Sequence, residues 1–100
     1  MIHVLAFITA KPGMRGAMLE AFHANIPAVH AEAGCIEYGP AVDSVTGTPT
    51  KYGVDTFVVI EKWESADHLK AHAASAHMAA YAAKTKEMIA TRVIHLLSPA

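Results

Sequence analysis

One hundred residues suffice for one small domain with little core to spare, so a partner is expected to complete its burial. Eight basic against nine acidic side chains give a formal net charge of -1 with no basic cluster, which excludes a surface that tracks nucleic acid and gives acidic substrates no advantage. The chain is 53% hydrophobic and 17% charged, yet no apolar run approaches the ~20 residues that a membrane span requires, and a single cysteine excludes an internal disulfide.

Met1 leads directly into Ile2 to Thr9 without a basic segment before it, so this stretch reads as a first strand and not as a signal peptide. With the lone Cys35, that favours the cytoplasm. A turn at Lys11 to Gly13 opens a helix over 14–33, whose apolar stripe is Leu19, Phe22, Ile26, Val29 and Ala33, with His23, His30 and Glu32 on its other sides. Pro27 is expected to kink or split that helix, and Gly34 to terminate it. A second strand over 35–42, a loop over 43–53 and a third strand over 54–63 follow. Ser65 is a good N-cap for a helical region over 66–90, with Ser75 capping a second segment, and a last strand spans 91–97. The order is βαββαβ in one domain over residues 1–100, with no internal repeat or linker.

The strands do not alternate polar with apolar. Ile2, Val4, Ala6 and Ile8 are apolar, but so are Leu5 and Phe7 between them, and the third and last strands repeat this with Val58 and Ile60 against Phe57, Val59 and Trp63, and Ile94 and Leu96 against Val93 and Leu97. Both sheet faces need cover, and the helices can supply only one. A sheet-to-sheet homodimer is therefore expected. The Thr- and Gly-rich loop from Asp43 to Gly53 is long enough to reach across such a dimer or to line a pocket mouth.

Most proton-handling groups gather between Phe57 and Tyr81. His68 and His72 stand four apart on one helix face, a spacing that suits a shared ion, but no third ligand is evident and neither His-Glu-x-x-His nor paired cysteines occur, so no metal is expected. His68 reads best as a solvated first-turn residue beside the core residue Leu69. Glu61 and Trp63 share a strand face with Phe57 and Val59. If that face lines a pocket, Glu61 has a raised pKa and pairs with a helix histidine; if it ends in water, Glu61 pairs with a lysine. Trp63 can stack on a planar ring or simply pack. His77 and Tyr81 form a second pair four apart, either as polar partners or as capping and surface residues, while Tyr38, Asp43 and Tyr52 are candidates for a pocket rim. Cys35 is expected to be an inert thiol. No glycine-rich dinucleotide or phosphate loop, Cys-x-x-Cys or haem-attachment motif is present, so no flavin, nicotinamide, nucleotide or c-type haem has a seat.

Read as Glu61-x-Trp63-Glu64-Ser65-x-x-His68-Leu69-x-Ala71-His72-x-x-x-x-His77-Met78-x-x-Tyr81, this region resembles the antibiotic-biosynthesis-monooxygenase (ABM) superfamily, and within it the small bacterial quinol monooxygenases. The run from Gly34 to Asp43 resembles that subgroup's second strand. The resemblance implies an α+β fold, ferredoxin-like βαββαβ protomers forming a dimeric α+β barrel. It also implies cofactor-independent oxidation of hydroquinone or polyphenol substrates by O2. It places a histidine at His72, at the rim of the space between sheet and helices, making His72 the first candidate for a general base; a packing histidine bonded to backbone is the competing reading. Glu61 and His77 follow as catalytic candidates, and Trp63, Met78, Tyr81, Tyr38 and Asp43 as substrate contacts. The chain departs from the actinorhodin branch, which has an Asn where Val59 stands and a Tyr at Leu69, and from haem-degrading relatives, which have a Trp at His72 and an Asn near Leu5. The alternatives are a non-oxygenase isomerase on the same scaffold and a non-catalytic dimer that binds quinones or other apolar ligands.

Overall fold

The computed structural model describes residues 1–47 and 49–100. β1 (Ile2–Ala10), β2 (Cys35–Ala41), β3 (Thr56–Trp63) and β4 (Ile89–Leu97) form one antiparallel sheet in the order β2-β3-β1-β4. α1 (Arg15–His30) links β1 to β2, and α2 (Ala66–Ala73) with α3 (Ala76–Thr85) links β3 to β4. This is a ferredoxin-like α+β fold, as expected.

Period-two geometry sorts the strand residues. Val4, Ala6, Ile8 and Ala10 of β1 and Phe57, Val59, Glu61 and Trp63 of β3 are buried beneath the helices, joined there by Met18, Phe22 and Val29 of α1. The intervening Leu5, Phe7, Val58 and Ile60 are half-buried on the opposite face, where Val93 and Leu97 are exposed. Tyr52 lies over part of that face, its ring 5.2 Å from that of Phe7. The helices do not cover the whole of their own side. Ile94 and Leu96, paired with Ala6 and Val4, stay 50% and 62% exposed on β4, which leaves a trough beside the edge strand.

Several boundaries differ from the sequence reading. α1 ends at His30, not 33, and Ala33 is exposed instead of inward. Pro27 does not split the helix: Pro27 and His23, whose carbonyl loses its donor, are both exposed, so solvent replaces the missing bond. Gly34 lies beyond the helix end, in the turn entering β2, with φ +80°. A Cβ there would run into the His68 ring, so both the backbone conformation and the close approach call for glycine. The region 66–90 is two short helices capped by the hydroxyls of Ser65 and Ser75, which accept from the backbone N–H of His68 and Met78, and β4 begins at Ile89, two residues earlier than expected. Among the described residues no helix is long and apolar enough to cross a membrane.

Candidate active site

Residues two apart on a strand project to the same face, and near the end of β3 this brings Trp63 against Glu61. The indole Nε1–H donates to Oε1 of Glu61 at 3.0 Å, with both side chains buried. Burial pushes the Glu61 carboxyl above the usual carboxylate range; the Trp63 hydrogen bond and the nearby His72 oppose this without cancelling it. The pairing with a lysine does not occur, because that part of β3 lies under the helices; Lys62, on the other face, pairs with Glu37 at 3.1 Å.

His72, in the last turn of α2, is 4% exposed. Its ring lies 4.6 Å from that of Trp63 and 5.5 Å from that of Tyr38. Its Nδ1 is 2.7 Å from Oε2 of Glu32, and Nε2 of His77 reaches the same oxygen at 2.8 Å. An ionised carboxylate only accepts, so Nδ1 of His72 carries a hydrogen, and in the neutral ring that leaves the lone pair on Nε2. That Nε2 is 4.0 Å from Oε1 of Glu61. The packing alternative for His72, a bond from its ring to backbone, is not what the ring makes.

Glu32 was not singled out by the sequence. An extended α1 places it on an outer side, whereas the actual end at His30 puts it in the following turn, facing the α2–α3 junction. His77 is recruited by the break between those helices. On one continuous helix, residues five apart would point about 140° away from each other. The turn at Ala74 and Ser75 removes that divergence. Among the described residues, Glu32, His72 and His77 also form the one group that could hold a metal ion, their ligand atoms lying within 4.8 Å of one another. The spacing seen in the sequence pointed instead to His68, which bonds the Ser65 hydroxyl through Nδ1 at 2.6 Å and stands apart from this group. Two ligand atoms on a tetrahedral zinc at about 2.0–2.1 Å are roughly 3.3 Å apart, so contacts of 2.7 and 2.8 Å are hydrogen-bond spacings.

Glu61 and His72 open onto a cavity of about 580 Å³ whose other walls include Leu69, Met78, Ile94 and Leu96. A second cavity of about 620 Å³, lined by Met18, Tyr81 and Ile89, adjoins it, with Met78, Ala82 and Arg92 common to both. Burial raises the Tyr81 hydroxyl's pKa, and Arg92 partly opposes this. Trp63 is fully buried behind His72 and not on the wall, while Tyr38 is a core residue stacked on Phe22 with ring centroids 5.0 Å apart. Asp43 lies on neither of these walls. It accepts from the backbone N–H of Tyr52 and Gly53, which hold its carboxyl below the usual range, and it lines a separate small cavity with Tyr52. Arg92 carried no signal in the sequence beyond its position on the last strand.

The family model described as "Antibiotic biosynthesis monooxygenase" matches residues 1–84. The chain belongs to this family. It is 38% identical over 102 residues to "Probable quinol monooxygenase YgiN" of Escherichia coli K12, an alignment spanning 99% of this chain and 98% of the relative. Among solved structures, PA3566 from Pseudomonas aeruginosa superposes with a TM-score of 0.84 at 24% identity, covering 99% of this chain and 93% of its own. Rv0793 from Mycobacterium tuberculosis gives 0.83 at 24% identity, covering 99% and 94%. These two show the same fold, while the family model and the Escherichia coli relative support a monooxygenase-type function.

Proposed function

We propose that this ABM protein is a cofactor-independent quinol monooxygenase, a single-domain cytoplasmic homodimer that oxidises hydroquinone-type rings with O2. The observation that carries the reading is Nε2 of His72 4.0 Å from the buried Glu61, both opening into a largely apolar cavity. A ring entering between α2, α3 and β4 meets Met78 and Leu69 on its faces. His72 removes a phenolic proton, and Glu61, whose pKa burial raises, donates to a ring oxygen when it carries its proton. Glu32 fixes the tautomer of His72 and stabilises the imidazolium that forms, with His77 as its second anchor. The electron-rich anion passes one electron to O2, and the resulting radical pair combines to form a carbon–oxygen bond. Loss of water then completes the balance: hydroquinone plus O2 gives hydroxyquinone plus water.

Oxygen uptake with a panel of hydroquinones, corrected for autoxidation at each pH and repeated with a chelator, tests this reading. His72→Ala is expected to slow uptake about 100-fold, within the range for losing a general base, and the chelator to change nothing. Unchanged turnover in the variant removes His72 as the base. Absence of uptake above autoxidation in wild type transfers the reading to a quinone-binding dimer, and turnover without oxygen transfers it to an isomerase.

A further inference from the structure

We infer that Arg92 forms an anion-binding subsite at the waist between the two cavities, so that the preferred substrate is a hydroquinone of two or more fused rings carrying a carboxylate. This rests on the reading of the His72 cavity as the quinol site. Arg92 lies opposite Ile8 in the β1–β4 register, on the same side of the sheet as Ile94 and Leu96, and it borders both cavities. Among the described residues its guanidinium has neither an ion-pair partner nor a side-chain hydrogen bond, whereas the other arginine, Arg15, donates to the carbonyls of Gly53 and Thr56. A planar fork of five donors is thus presented to ligand space, in the geometry that suits a carboxylate.

The surroundings point to the sign and size of the ligand. Lys70 borders the first cavity and Lys86 the second, and Glu61 is the one acidic residue on either wall. The trough is therefore cationic in a protein whose net charge is -1. An apolar cavity of about 150 Å³ already holds a benzene ring, so about 580 Å³ beside His72 and about 620 Å³ beyond Arg92 leave room for a fused-ring ligand reaching from one to the other. With the reacting ring at His72, a carboxylate further along the ligand meets Arg92, which orients the ring as well as holding it.

The test compares 2-naphthoate with 2-naphthamide, two redox-stable probes of similar shape that differ in charge, by calorimetric titration of the wild-type protein, Arg92→Gln and Arg92→Lys. Wild type is expected to bind the naphthoate at least about tenfold tighter than the amide, Arg92→Gln to erase that preference, and Arg92→Lys to restore part of it. Circular dichroism confirms that this exposed position leaves the fold intact. Equal affinity of wild type for the two probes, an equal loss for both in Arg92→Gln, or no binding of either at millimolar concentration overturns the subsite. Oxygen uptake separates the two readings. A naphthoate preference without turnover of any quinol keeps the subsite and sinks the monooxygenase, whereas turnover of neutral quinols without the preference does the reverse.

Discussion

Replacing Glu32 with Gln tests the proposed proton path most directly, because Gln keeps the side chain's size and an accepting oxygen while removing its charge. In the wild-type protein Oε2 of Glu32 accepts from Nδ1 of His72 at 2.7 Å and from Nε2 of His77 at 2.8 Å. When Nε2 of His72 takes the substrate proton, the ring becomes an imidazolium facing that carboxylate. A hydrogen bond to a charged group contributes about 1.5–3 kcal/mol, and its loss in the transition state corresponds to roughly a 10- to 150-fold fall in kcat/KM. The fall should be read in kcat, from oxygen-electrode traces with autoxidation subtracted, while KM changes little because Glu32 does not line the cavity. If Glu32 acts only through His72, the same substitution in a His72→Ala background costs nothing more. A Glu32→Gln enzyme with wild-type kcat/KM, or a full additional loss in the double variant, would refute the reasoning.

Glu61 gives a pH signature. Its folded pKa is raised above 4.5, so the stability contributed by the protonated acid is present at and below that pH and is lost as pH rises through the folded value. Glu61→Gln should therefore raise Tm more at pH 8 than at pH 4, and scanning calorimetry showing an equal or opposite difference would contradict a carboxyl raised by burial. Gly34→Ala forces an L side chain to φ +80° and drives a Cβ into His68, so a loss of at least about 1–2 kcal/mol is expected. In a domain this small that lowers Tm by roughly 5–15 °C, and an unchanged melting curve would dispose of the close approach. The half-buried Leu5, Phe7, Val58 and Ile60, with exposed Val93 and Leu97, make one sheet face a natural dimer surface. Light scattering at micromolar concentration should give twice the 10.6 kDa chain mass, and a monodisperse species of 10.6 kDa would rule the dimer out.

Strand composition made the fold legible. Val4, Ala6 and Ile8 alternating with Leu5 and Phe7 announced a sheet with two faces to cover, and Ser65 and Ser75 marked both helix starts of the second crossover. Local chemistry carried the motif from Glu61 to Tyr81 as far as bringing Glu61, His72 and Met78 to one cavity. It could not say that Trp63 would be sealed behind His72, since a strand position shared with Glu61 fixes the face but not the depth. Asp43 looked like a rim group because an acid in a long loop is normally free; here two backbone N–H groups claim it. Glu32 escaped because one turn of helix separates an outward-facing residue from an inward-facing one. Arg92 escaped because openness on the helix side of β4 is a property of how far α2 and α3 extend, which no residue on β4 encodes.

The carboxylate shared by His72 and His77 also sets when the site comes into being during folding. The two bonds span 40 and 45 residues, across β2, the long loop and β3. Joining ends that far apart costs a flexible chain about 3 kcal/mol of entropy in its length-dependent part alone, so this junction closes only when other contacts have already drawn the halves together. Conversely, local opening of the short α2–α3 pair would part both histidines from Glu32 while the four strands remain hydrogen-bonded to one another. Catalytic competence would then be lost at a lower temperature than sheet structure, and the gap between the two measures the stability of one small crossover.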